Sequence, residues 1–209
     1  MSAEPLSFAP ADYERLAARI IEAGHTLHAH GWAPATSGNF SARLADGSIA
    51  ITVSGAHKGR LERKDIMRLD AKGMPLEDKK PSAEAALHVQ IYKAHPKARA
   101  ILHVHSIPGV ALSRVIKGDT LALDGYEMLK VFPGIVSHET ILNLPLVDNS
   151  QDMSDMMESL APRIEDVPAY IIRNHGFYVW AESLERAEIL VEGLDHLLRC
   201  EIETRRISA

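Results

Sequence analysis

Among the 209 residues are 11 histidines and a single cysteine, and two of the histidines sit at a spacing that suits ion binding. In Ala100-Ile101-Leu102-His103-Val104-His105-Ser106 the two imidazoles lie on an apolar run that predicts a buried strand. Side chains at i and i+2 of a strand point the same way, so His103 and His105 can share one cation. Buried without partners, each ring would leave a donor and an acceptor unsatisfied, a cost that a metal removes. Ser106-Ile107-Pro108-Gly109 reads as a turn and places the pair at the strand's end, where sheets present chemistry to solvent.

The best candidate for a third ligand is His175, in Tyr170-Ile171-Ile172-Arg173-Asn174-His175-Gly176-Phe177-Tyr178-Val179-Trp180, where strand-like runs flank a His-Gly turn. Three histidines with an open fourth position describe a catalytic zinc site, whereas a structural zinc uses cysteines and closes its shell. With only Cys200, a cysteine-rich site and an internal disulfide are both excluded.

Two carboxylates could move protons. Glu84 precedes His88 by four residues on one predicted helix face, a spacing that an exposed charge pair explains nearly as well as catalysis. Glu127 lies in the apolar segment Gly125-Tyr126-Glu127-Met128-Leu129-Lys130, where desolvation would raise its pKa. Phosphate is the substrate group most suggested. Ser37-Gly38-Asn39, Ser54-Gly55 and Ser82 combine hydroxyls or amides with accessible backbone N–H groups, and Lys58 offers a cation. Each of these motifs alone is more often only a turn, and a lysine is more commonly a surface residue. Phe177, Tyr178, Trp180, Met128 and Leu129 are candidate apolar walls, though core packing is the expected role for most of them.

These groups need a scaffold. The pattern predicts a helix over 11–31, strands either side of Asp46-Gly47, a polar stretch, and a helix over 82–94 opened by Pro81-Ser82. A strand over 98–105 and a short helix over 109–116 follow. Further on come a helix over 149–160, strands around His175 and a long helix over 183–205. The class is mixed α and β, with the strand order open, and there is no Rossmann glycine fingerprint or repeat. Composition suits one compact domain over 1–209, with 46% apolar and 24% charged residues. A net charge of -5 without a basic cluster argues against nucleic acid and anionic membranes as partners. Residues 1–10 carry Glu4 and no apolar core like that of a signal peptide, so a cytoplasmic location is expected.

The order Ser37-Gly38-Asn39, Thr52-Val53-Ser54-Gly55, Lys80-Pro81-Ser82-Ala83-Glu84, His103-Val104-His105 and His175-Gly176 resembles the class II aldolase/adducin family over nearly the whole chain. The resemblance implies an α/β/α layered fold with a mainly antiparallel sheet. It also implies one zinc per subunit on His103, His105 and His175, phosphate contacts from Gly38, Asn39, Ser54, Gly55 and Ser82, and a homotetramer with sites near subunit contacts. Within the family, Gly55-Ala56-His57-Lys58-Gly59-Arg60-Leu61, Gly125 to Lys130, Asn149-Ser150-Gln151-Asp152 and Arg173 to Trp180 look most like members that remove water from a methylthio-substituted ketose phosphate. That likeness assigns acid/base work to Glu127, whereas the family's aldolases use the position of Glu84. Asn174 and Ala181 stand where glycines are expected, and Ala56 where a larger residue is expected. Two rival readings remain: an aldolase or epimerase of another sugar phosphate, and a non-catalytic adducin-like binding module.

Overall fold

The computed structural model describes residues 7–164 and 167–208, so the reading of Glu4 and the first six residues lies outside it. Its centre is an eight-stranded sheet: β1 (Asn39–Arg43), β2 (Ile49–Thr52), β3 (Ile66–Leu69), β4 (Ala100–Val104), β5 (Thr120–Leu123), β6 (Leu142–Val147), β7 (Ala169–Ile172) and β8 (Gly176–Ala181). Their order is β3-β2-β1-β4-β8-β7-β6-β5. Only β6 and β7 pair in parallel, so the sheet is mainly antiparallel, as expected.

Alternation along the central strands sorts apolar residues into two cores. Ala100, Leu102 and Val104 of β4 and Phe177 and Val179 of β8 join one core with residues of α1 (Pro10–Ala29), α3 (Ile107–Val115) and α5 (Leu184–Ile207). Ile101, Tyr178 and Trp180 point the other way and pack with α2 (Ala85–Ala94) and α4 (Met153–Leu160). Helices therefore cover both sides of the sheet, giving the α/β/α layering.

Several elements differ from the sequence reading. The polar stretch conceals β3, whose Ile66, Met67 and Leu69 are buried although Lys64, Asp65 and Asp70 bracket them. α2 begins at Ala85 rather than Ser82, because Pro81 pairs with Val53 and holds residues 81–84 out of the helix. α4 starts at Met153, where the Asp152 carboxylate accepts from the backbone N–H groups of Ser154 and Asp155.

Candidate metal centre and cleft

β4 directs His103 to the α2/α4 side, and His105 follows just past the strand's end. The backbone N–H of His105 donates to Trp32 O at 2.8 Å, tying that end to the loop before β1. His175 comes from the turn between β7 and β8. Asn174 stands in the left-handed region there with φ 57°, a conformation asparagine tolerates better than most residues, which explains how it serves where glycine was expected. Gly176 lets the two strand ends meet, since a Cβ on it would lie 2.1 Å from Val104 O.

The three rings converge through their Nε2 atoms, with His103 Nε2 3.0 Å from that of His105 and 3.4 Å from that of His175. His103 Nδ1 donates to Phe177 O at 3.0 Å, which leaves its Nε2 lone pair aimed at the other two. Burial, only partly offset for His103 by the Glu84 carboxylate, lowers His103 to about 4; burial and its histidine neighbours lower His105 to about 3. Both rings are thus neutral at physiological pH. Neutral lone pairs crowded together without a shared proton fit a divalent cation, and one atom from each ring lies within 4.8 Å of the others.

Glu84 is the fourth element. It occupies the N-cap position of α2 without capping that helix, and its carboxylate turns to the histidines. Its Oε2 lies 3.3 Å from His103 Nε2 and its Oε1 3.3 Å from His175 Nε2. Burial alone would push this carboxyl up. The facing histidines and hydrogen bonds from Asn39 and Tyr178 outweigh burial and hold it at about 2. The exposed Glu84–His88 pair is therefore corrected: Glu84 faces the metal centre, and His88 is fully buried.

Beside the histidines opens a cleft of about 310 Å³ lined by Gly38, Asn39, Ser54, Gly55, Lys58, Ser82, Glu84, His105 and His175, together with Asn149, Ser150 and Gln151. Ser54 is drawn beside Ser82 because its N–H donates to Lys80 O at 3.0 Å. Gly38 has φ 76°, and a Cβ there would lie 2.6 Å from His103 O, so this turn can approach β4 only as glycine. Lys58 is no surface lysine. It is 1% exposed, and its ammonium donates to Thr36 O at 3.0 Å and Ala56 O at 2.7 Å. Burial lowers its pKa to about 8.

Two expectations fail in this chain. Ser37 does not line the cleft; its hydroxyl donates to Pro34 O at 2.6 Å and closes a turn. Glu127 is not desolvated. The 3₁₀ turn Glu127–Val131 buries Leu129 and leaves the Glu127 side chain 71% exposed beside Lys130, whose hydrogen bond lowers its pKa instead of raising it. Of the candidate apolar walls, Phe177, Tyr178, Trp180 and Leu129 take the core role expected for most of them, and the larger apolar side chains in the cleft are Val53, Met153 and Met156. The sequence reading also missed the polar role of Tyr178, whose hydroxyl donates to Glu84 Oε2 at 2.9 Å while its ring stacks on His103 at 4.1 Å. The available signal was its alternation with Phe177 in β8.

A three-histidine centre in a polar cleft, with His103 and His105 neutral and an ionised carboxylate beside them, is the architecture of a metal-dependent enzyme acting on a small polar substrate. The sequence matches the Class II Aldolase and Adducin N-terminal domain over residues 18–202, and the chain belongs to that family. It is 48% identical over 197 residues to the methylthioribulose-1-phosphate dehydratase of Methylococcus capsulatus, covering 93% of this chain and 95% of that protein. It is 46% identical over 193 residues to the protein of that name from Acidiphilium cryptum, covering 91% and 92%. Among solved structures, the L-fuculose-1-phosphate aldolase of Thermus thermophilus superposes with a TM-score of 0.78 at 26% identity, covering 94% of this chain and 98% of that one.

Proposed function

We propose that this chain, working as one domain over 1–209, dehydrates 5-methylthioribulose 1-phosphate to 2,3-diketo-5-methylthiopentyl 1-phosphate. The observation that carries the reading is Glu84 set against three converging imidazoles in a cleft lined with phosphate-binding groups. Near-half identity to the dehydratases over more than nine-tenths of the chain supports water loss over carbon–carbon cleavage. In this reading the enzyme is a cytoplasmic homotetramer with one zinc per subunit, acting in methionine salvage.

His103, His105 and His175 would hold the zinc, which when bound supplies Lewis-acid polarisation that acidifies the carbon beside a ketone. The chain's own groups do the rest. Backbone N–H groups of Gly38 and Gly55, the hydroxyls of Ser54 and Ser82, and the Lys58 ammonium bind the C1 phosphate. Glu84, ionised and held at Oε2 by Asn39 and Tyr178, takes the proton from C3 with Oε1. A proton returned to the C4 hydroxyl lets it leave as water, and the resulting enol tautomerises to the diketone. Val53, Met153 and Met156 give the methylthio end an apolar wall.

A second assignment has its own observation. Glu127 lies 3.8 Å from His138, and the segments that carry these two residues expose Met128, Val136 and Ile141, at 40%, 83% and 57%. A second subunit covering that surface would desolvate Glu127 and make it the proton carrier. The experiment is to incubate zinc-loaded wild type, Glu84→Gln and Glu127→Gln with the substrate and follow products by mass spectrometry. Loss of one water in wild type establishes the reaction, and the variant whose turnover falls about 10²–10⁴-fold with zinc retained identifies the carboxylate. Cleavage to dihydroxyacetone phosphate would overturn the dehydratase reading in favour of an aldolase.

A further inference from the structure

Behind Glu84 a line of buried polar groups runs into the α2 side of the sheet. Asn39 Nδ2 donates to Glu84 Oε2 at 2.7 Å, and Asn39 Oδ1 meets His88 Nε2. His88 Nδ1 lies 2.7 Å from Ser41 Oγ, which lies 2.9 Å from the Tyr92 hydroxyl. Asn39 and Tyr92 are 4% exposed and Ser41 and His88 0%, so bulk water cannot replace a lost partner.

The end of the line fixes the direction of every bond in it. Asn39 presents its NH₂ to Glu84 Oε2, so its oxygen faces His88. His88 must then carry its proton on Nε2 and accept at Nδ1. Ser41 donates to that nitrogen, and Tyr92 donates to Ser41. Burial, against the pull of Glu84, lowers His88 to about 3, so the ring has the single proton this arrangement needs. None of these groups but Asn39 reaches the cleft.

We propose that His88 is a positioning residue, whose Nε2–H locks the Asn39 amide so that Asn39 and Tyr178 together hold Oε2 of Glu84 and leave Oε1 for proton transfer. This rests on the reading that Glu84 moves protons. Without the Nε2–H donor Asn39 Oδ1 is left buried and unpaired, and the amide is no longer held in place against Oε2 of Glu84. The α2 helix carries both ends of the device: Glu84 starts it, and His88 lies one turn along it.

Two measurements test this on the zinc-loaded enzyme. In histidine-¹⁵N-labelled wild type, solid-state NMR reads the tautomer of His88, assigned by its disappearance in His88→Gln. An Nε2–H ring is expected, and an Nδ1–H ring overturns the proposal. In steady-state kinetics, His88→Leu is expected to lower kcat about 10- to 100-fold with KM and zinc content little changed. His88→Gln, whose side-chain NH₂ can take the place of Nε2–H, is expected to recover most of the loss. Equal damage in both variants, or a change confined to KM or zinc content, overturns the positioning role. Full turnover in Glu84→Gln would instead overturn the reading beneath it, whereas an Nδ1–H His88 beside an inactive Glu84→Gln removes the positioning role alone.

Discussion

Tyr178→Phe removes a single hydroxyl and keeps the ring that stacks on His103 at 4.1 Å and on Tyr170 at 4.8 Å. The lost hydroxyl donates to Glu84 Oε2 at 2.9 Å, and the Glu84 side chain is only 15% exposed, so water replaces the bond poorly. A hydrogen bond to a charged group contributes about 1.5–3 kcal/mol and one to a neutral group about 0.5–1.5 kcal/mol. The substitution is therefore expected to cost about 2 kcal/mol in the wild-type background, a drop in melting midpoint of about 4–8 °C for a chain of this size. In a Glu84→Gln background the same substitution should cost about 1 kcal/mol, leaving a coupling of about 1 kcal/mol. The assay is urea unfolding of the four metal-free proteins at one fixed protomer concentration, because assembly would make apparent stability depend on concentration. The pH dependence has a definite sign. Glu84 is lowered from its ordinary 4.5 to about 2, so the coupling is fully present above pH 4.5 and is lost as pH falls toward 2. A cycle additive to within about 0.3 kcal/mol at pH 7 would refute the charged contact between Tyr178 and Glu84.

Other outcomes follow from the same geometry. Lys58 is lowered to about 8 and so loses its charge as pH rises through that value; KM for the phosphate substrate should climb above about pH 8, and Lys58→Met should abolish that rise. Chelation should abolish turnover and lower the melting midpoint, with both restored by one zinc per chain; His103→Ala should bind less than a tenth of that zinc by elemental analysis. Gly176→Ala places a Cβ 2.1 Å from Val104 O and 3.2 Å from His103 Cε1. Calorimetry should show it destabilised by about 3 kcal/mol or more, with zinc affinity reduced, because the clash separates the strand ends that carry the histidines.

The three-histidine cluster was legible because its geometry is mostly local. His103 and His105 obey the two-residue period of a strand, and His175 precedes a glycine that only a close strand crossing requires. Glu84 and Glu127 could not be ranked from sequence, because their environments depend on where a helix starts and which way a 3₁₀ turn faces. Glu84 is aimed by the Val53–Pro81 pairing, a contact between segments about thirty residues apart. Tyr178 and His88 gain their roles from register. β1 and β4 set Asn39 opposite His103, and β4 and β8 set His103 opposite Tyr178. A slip of one residue in β4 would exchange its two faces, sending His103 into the core of α1 and α5 and Leu102 toward α2 and α4. The alternation that sorts Ala100, Leu102 and Val104 from Ile101 therefore also aims the imidazole. Hydrophobic burial and metal binding select the same register, so a substitution that weakens the sorting of β4 should loosen the metal before it unfolds the chain.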